Sequence, residues 1–158
     1  MKIILIRHGM TEGNLKRRYI GTTDEDLINT DCLKGDYPKC ERVVASPLKR
    51  CIQTAEYIYP NVDIEICDKL KECDFGDFEN KSYEDLKDNP DYQKWIDSNG
   101  ELPFPNGETH EDFKNRCKDG FFESLTERDT AFVIHGGSIM AIMQKLFGGN
   151  FYDYQVKN

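Results

Sequence analysis

KIILIRHGMTEGN, from Lys2 to Asn14, opens on four consecutive apolar residues, Ile3, Ile4, Leu5 and Ile6, and turns polar at Arg7, His8 and Gly9. A run this short, β-branched and ended by glycine predicts a buried strand of a parallel sheet. In open α/β sheets, ligands bind in the crevice beyond the carboxyl ends of the strands. Arg7 and His8 therefore stand where chemistry is expected, with Gly9 allowing backbone or ligand to come close. AFVIHGGSIMAIM, Ala131 to Met143, repeats the pattern far along the chain. Ala131–Ile134 predicts a second such strand, His135 ends it, and Gly136 and Gly137 follow. Ser138 is placed to cap a helix running through Ile142 and Leu146. The chain holds three histidines, and two of them share this setting. One histidine at a strand end reads as incidental. Two, with an arginine and a helix start offering free N–H groups, suggest a site for an anion, most simply a phosphoryl group.

The length of 158 residues fits one domain spanning 1–158. The net charge of -8 excludes nucleic-acid binding through bulk charge, so an anionic substrate requires a local cluster of arginines. No run of roughly 18 apolar residues is present, so no membrane span is expected. The N-terminus enters a core strand directly and lacks the pattern of a signal peptide, which predicts a cytoplasmic protein. Cys32, Cys40, Cys51, Cys67, Cys73 and Cys117 form no CxxC pair and show no zinc-finger spacing. Reduced thiols and no bound metal are expected.

After the first strand, Lys16, Arg17 and Arg18 are candidates for the mouth of an anion site, or for a solvated turn. Leu27–Gly35 predicts a short helix stopped by glycine. Arg42–Ala45 is a further short strand, followed by Ser46 as N-cap and Pro47 in the first turn of a helix. Leu48, Ile52, Ala55 and Ile58 form the core stripe of that helix, and Arg50 lies in its first turn. Val62–Cys67 alternates apolar and acidic residues, as a half-exposed edge strand does. Leu70–Glu79, LKECDFGDFE, is a loop dense in carboxylates: Glu72, Asp74, Asp77 and Glu79. Ser82–Asp88 and Tyr92–Asp97 read as short helices around Pro90, with Trp95 anchoring the pair. Glu108 to about Glu127 is the longest predicted helix, with Phe113, Cys117, Phe121 and Leu125 as its buried stripe. His110, near its start, reads as an ordinary surface histidine. The ending, FYDYQVKN, gives no readable conformation. No repeat, low-complexity tract or domain boundary is visible.

RHGMTEGN, SPLKRCIQTA, LKECDFGDFE and VIHGGS, in that order, resemble the four sequence blocks of the histidine phosphatase superfamily, also called phosphoglycerate mutase-like. RHG alone is a weak signal; the ordered set across nearly the whole chain is a specific one. Within the superfamily the chain looks most like the α-ribazole phosphatase branch. The resemblance implies an α/β three-layer sandwich with a mostly parallel central sheet flanked by helices. It implies His8 as a nucleophile that becomes phosphohistidine, and Arg7, Arg50 and His135 as the clamp on the phosphoryl oxygens. Glu72 corresponds to the proton donor, and Asn14, Thr11 and Gly136 to substrate-binding positions. No cofactor and no metal are implied. Phe78 stands where many members have tryptophan and Asn80 where many have glycine, changes expected to alter only the pocket rim. The segment between Leu27 and Arg42 looks shorter than the helix usual there, and relatives run on beyond the last helix.

Three functions compete at this point. The leading one is a phosphomonoesterase acting on a small phosphorylated metabolite, with α-ribazole 5′-phosphate as the named substrate. The second is a cofactor-dependent phosphoglycerate mutase, disfavoured because the short chain lacks room for the extra loop of mutases. The third is a phosphate-binding module without turnover, disfavoured because all five catalytic positions are filled. A nucleotide-binding domain is weaker still, because neither a P-loop nor G-x-G-x-x-G follows the first strand. Nothing in the sequence speaks to oligomeric state.

Overall fold

The structure is a computed structural model that describes residues 1–157; Asn158, the end of FYDYQVKN, lies outside the described residues. Among the described residues, β1 (Ile3–Arg7), β2 (Arg42–Ala45), β3 (Ile64–Ile66) and β4 (Thr130–Ile134) form one sheet in the order β1-β4-β2-β3. Every neighbouring pair is parallel. The register sets Arg7 opposite Ile134 and Ala45 opposite Val133, so three strands end level. The His8 N–H then donates to Ile134 O at 3.0 Å and the Ser46 N–H to Val133 O at 3.2 Å. Both glycine-flanked histidines therefore leave adjacent strands at the same edge.

Successive side chains of a strand point to opposite faces. On one face Val43, Ala45, Ala131 and Val133 pack against Cys51 and Ala55 of α2 (Lys49–Ile58). On the other, Val44, Phe132 and Ile134 meet Phe121 of α5 (His110–Glu123) and Ile139 and Ile142 of α6 (Gly136–Phe147). This is the expected three-layer α/β sandwich, and β2 and β4 are near-continuous apolar runs because both their faces are covered. β3 is the half-exposed edge strand, shorter than the alternation suggested. A third cluster, including Phe78, Tyr92, Phe104, Phe113 and Phe151, gathers the segments between β3 and β4 with the chain's end. Phe78 is wholly buried there, so it is a core residue and not part of a pocket rim.

Several local expectations shift. The hydroxyl of Ser46 does not cap α2, which starts at Lys49 after Leu48 without a side-chain cap. Ser138 does not cap α6: both glycines are already helical, His135 holds the cap position, and the Ser138 hydroxyl donates to Leu70 O at 3.3 Å. The two short helices expected around Pro90 are α3 (Tyr83–Leu86) and α4 (Pro90–Asp97), the second starting at the proline itself, where its missing N–H costs nothing. Leu27–Gly35 holds only a 3₁₀ turn at Asp31–Leu33. The expected long helix is α5, with Thr109 as its N-cap. The chain's end forms a 3₁₀ turn over Phe151–Tyr154.

Candidate active site

The rings of His8 and His135 lie 5.2 Å apart, centroid to centroid, at an interplanar angle of 65°. His8 is 4% exposed and His135 is wholly buried. His8 Nδ1 lies 2.7 Å from Gly9 O. A carbonyl only accepts, so Nδ1 carries the proton in the neutral ring and Nε2 keeps its lone pair. Burial first, then the charges of Arg50 and Arg7, push the His8 pKa down to about 3, although the Gly9 carbonyl opposes this. Burial, Arg50, His8 and Arg7 hold His135 well below its ordinary value. Two neutral imidazoles are the result near neutral pH. His135 Nε2 is 2.8 Å from Ser46 Oγ and 3.5 Å from Cys51 Sγ.

Arg50 is wholly buried in the first turn of α2. Its Nη1 donates to Thr23 O at 2.7 Å and its Nη2 to Gly21 O at 2.9 Å. The loop supplying those carbonyls is pinned from below by one atom. Glu79 Oε1 accepts from Gly21 N at 2.7 Å, Thr23 N at 3.0 Å and Thr23 Oγ1 at 2.9 Å. Arg7, at the end of β1, donates from Nη1 to Val156 O at 2.6 Å. The Nε atoms of Arg7 and Arg50 are buried without a hydrogen-bond partner. Donors left this way are costly to bury and are suited to an incoming anion.

Glu72 comes from the loop between β3 and α3. The Cys73 N–H donates to its Oε1 at 2.9 Å and the Gly137 N–H to its Oε2 at 3.0 Å. Gly137 is required for this contact, because a Cβ there would lie 2.3 Å from Oε1. Burial raises the Glu72 pKa, against the two backbone N–H groups and the charges of Arg50 and Arg7. The start of α6 thus offers an N–H to a carboxylate of the protein itself.

A cavity of about 340 Å³ is lined by Arg7, Asn14, Glu72 and Gly136 together with aromatic side chains, while His8, Arg50 and His135 are buried and are not part of its lining. Asn14 sits on the short α1 (Glu12–Leu15), where its Oδ1 accepts from Thr11 N at 3.2 Å. Thr11 does not line the cavity. It is fully buried and its hydroxyl accepts from Asn14 N at 3.3 Å, so it orients Asn14 and is corrected from a substrate contact to a cap. Of the three basic residues at 16–18, Arg18 lines the cavity, whereas Lys16 pairs with Glu12 at 2.8 Å. His110 is no surface histidine: it lines the cavity, with its ring 4.6 Å from that of Phe151. Tyr19, Phe75, Trp95 and Phe104 form an aromatic wall, with Phe75–Phe104 at 5.1 Å and Trp95–Phe104 at 5.2 Å.

Sequence reasoning missed Ser46 and Glu79 as site-building residues. A signal existed for Ser46: like His8 and His135, it is the first residue after a strand of the sheet. Glu79 carried no such mark. All six cysteines are free thiols. Among the described residues no cluster of three or more His, Cys, Asp or Glu side chains has the arrangement to hold a metal ion. No described helix is long and apolar enough to cross a membrane.

Parallel strands ending level in two imidazoles, with two arginines and a carboxyl acid around them, define an α/β protein with a built anion site. The sequence profile of the histidine phosphatase superfamily (branch 1) matches residues 3–156, and the chain belongs to that superfamily. It is 32% identical to the uncharacterized phosphatase PhoE of Bacillus subtilis (strain 168), over 94% of this chain and 78% of that protein. A putative alpha-ribazole-5'-P phosphatase of Escherichia coli K-12 superposes with a TM-score of 0.86 at 22% identity, covering 99% of this chain and 86% of that one. The alpha-ribazole phosphatase of Shigella flexneri superposes with a TM-score of 0.83 at 25% identity, covering 100% and 87%. The fold is that of the phosphoglycerate mutase-like proteins, which the solved structures also include.

Proposed function

We propose that the protein is a metal-independent phosphomonoesterase working through a phosphohistidine at His8. The observation carrying this reading is the His8–His135 pair at 5.2 Å, with His8 Nδ1–H held by Gly9 O. In the first step His8 Nε2 forms a bond to phosphorus as the ester P–O bond breaks, and Glu72 gives its proton to the departing oxygen. In the second step water attacks phosphorus, the N–P bond breaks, and Glu72 takes the water's proton. Arg7, Arg50 and His135 offset charge on the equatorial oxygens throughout. The raised pKa of Glu72 suits a group that must start protonated.

The substrate is a small phosphorylated metabolite with a flat ring, α-ribazole 5′-phosphate being the named candidate. The aromatic wall of Tyr19, Phe75, Trp95 and Phe104 supports this, since rings favour stacked and edge-on contact with another ring. The names of the Escherichia coli and Shigella flexneri neighbours support it as well. The test is hydrolysis of 4-nitrophenyl phosphate in excess chelator, with mass spectrometry of the acid-labile adduct after a rapid quench. A phosphate group on His8 is expected, with full activity in the chelator. Loss of activity on chelation overturns metal independence. Transfer to a second phosphoglycerate in place of water makes the protein a mutase, and binding without turnover makes it a phosphate-binding module. A panel containing α-ribazole 5′-phosphate and 3-phosphoglycerate decides the substrate.

A further inference from the structure

Glu72 lies on a segment that neither strand nor helix holds, between a 3₁₀ turn at Asp68–Leu70 and another at Gly76–Phe78. Its backbone carbonyls need partners, as all such groups do away from water. One side chain reaches three carbonyls at and before Glu72. Arg116 of α5 donates from Nη1 to Lys69 O at 2.8 Å and Lys71 O at 3.0 Å, and from Nη2 to Glu72 O at 3.3 Å. Its Nε and Nη2 also donate to Glu108 Oε1 at 2.8 Å and Oε2 at 2.7 Å. A guanidinium has five N–H donors, and these five acceptors use them all. Glu108 completes the grip, because its Oε2 accepts from Asp74 N at 3.3 Å. The Arg116–Glu108 pair thus ties the backbone at 69, 71, 72 and 74, on both sides of the carboxyl group. The two side chains are only 27% and 17% exposed, so the pair is better shielded than a surface ion pair.

We infer that Arg116 and Glu108 are positioning residues for the proton transfer by Glu72. The inference rests on the proposed role of Glu72 as donor to the leaving oxygen. Arg116 touches the Glu72 main chain and leaves the carboxyl group to Cys73 and Gly137, so its contribution is geometric. A lysine has a single ammonium and cannot serve five acceptors spread over a plane.

The test compares a basic alkoxide leaving group, from glycerol 2-phosphate, with 4-nitrophenolate, which departs without a proton. Glu72→Gln is expected to slow the alkyl ester about a hundredfold and the nitrophenyl ester only about threefold. Arg116→Met should reproduce that split in kcat, and Arg116→Lys should recover only part of the loss. Adding Arg116→Met to Glu72→Gln should cost the alkyl ester nothing further, as expected for residues acting through one group. If Arg116→Met does not fold, Glu108→Gln carries the test, with an expected selective loss of about tenfold. Equal slowing of both esters by the Arg116 or Glu108 variants, with Glu72→Gln still selective, overturns the positioning role and leaves the donor role standing. Equal slowing by Glu72→Gln itself overturns the donor role and this inference with it.

Discussion

The site has two walls of different construction. One consists of the ends of β1, β2 and β4, where His8, Ser46 and His135 are held by the parallel ladder itself. The other is the carboxylate-rich loop from Leu70 to Glu79, where side chains reaching across the sequence do the holding. In the first wall the His8 and Ser46 N–H groups continue the ladder onto β4, His135 caps α6, and all three side chains are buried. The second depends on a few polar contacts, each able to fail alone. Damage to the strand wall should therefore remove a chemical group and leave the fold. Damage to the loop wall should displace groups that remain present.

The sharpest break on the strand wall is His8→Ala. Removing the proposed nucleophile should lower kcat for 4-nitrophenyl phosphate by a factor on the order of ten thousand, with no adduct on rapid quench. Thermal unfolding should show the variant folded. On the loop wall the counterpart is Glu79→Ala. It removes the acceptor for Gly21 N, Thr23 N and Thr23 Oγ1, and so loosens the carbonyls that hold Arg50. A loss in kcat/KM of roughly a hundredfold is expected from a clamp displaced by about 1 Å. Glu79→Gln keeps one carbonyl oxygen in place and should retain most of the activity, as steady-state kinetics on both variants will show.

The same difference explains what could be read in advance. Ile3–Ile6 and Ala131–Ile134 are local patterns, and pairing them needs only the rule that parallel strands end together. His8, His135 and Gly136 were therefore legible as one place. Arg50 was not, because nothing local distinguishes a buried arginine from a surface one on a helix; the likeness of SPLKRCIQTA to a known block supplied it. Glu72 and Glu79 sit among four carboxylates in a segment without periodicity, and their partners are distant in sequence. Caps were misread at Ser46 and Ser138 because a hydroxyl that suits a helix end was claimed by a tertiary contact. Thr11 was misread in the opposite direction, as a ligand contact where it is a cap.

The walls also differ in sign towards acid. His8 has a folded pKa of about 3 against an ordinary 6.5. Between those values only the unfolded chain takes the proton, so stability falls as pH is lowered through that window. At about pH 5 the cost from His8 is about 2 kcal/mol. His135 adds to it in the same direction. Glu72 opposes both: its folded pKa is raised, so its contribution is present in acid and is lost as pH rises through that raised value. Urea midpoints at pH 8, 6 and 5 should fall on acidification, fall less in His8→Asn and fall more in Glu72→Gln. An unchanged pH dependence in His8→Asn would mean that this ring is not buried neutral.

The smallest expected effect lies where the loop wall leaves Glu79. Asn80 holds φ at +61°, a left-handed conformation in which a side chain with a Cβ is strained and glycine is not. The position at which many relatives have glycine is thus a backbone position, and not a rim position as the sequence suggested. Asparagine tolerates that conformation better than most residues, and here its Nδ2 also donates to Thr23 Oγ1 at 2.8 Å. Asn80→Ala keeps the strain and loses the bond, and should cost about 1 kcal/mol of stability. Asn80→Gly relieves the strain while losing the bond, so the two terms offset and the change should stay within about 0.5 kcal/mol. Because the bond reaches the same threonine that Glu79 holds, Asn80→Ala should also raise KM about twofold with kcat unchanged. Equal losses in the glycine and alanine variants would mean that the side-chain bond, and not the backbone angle, fixes this corner of the loop.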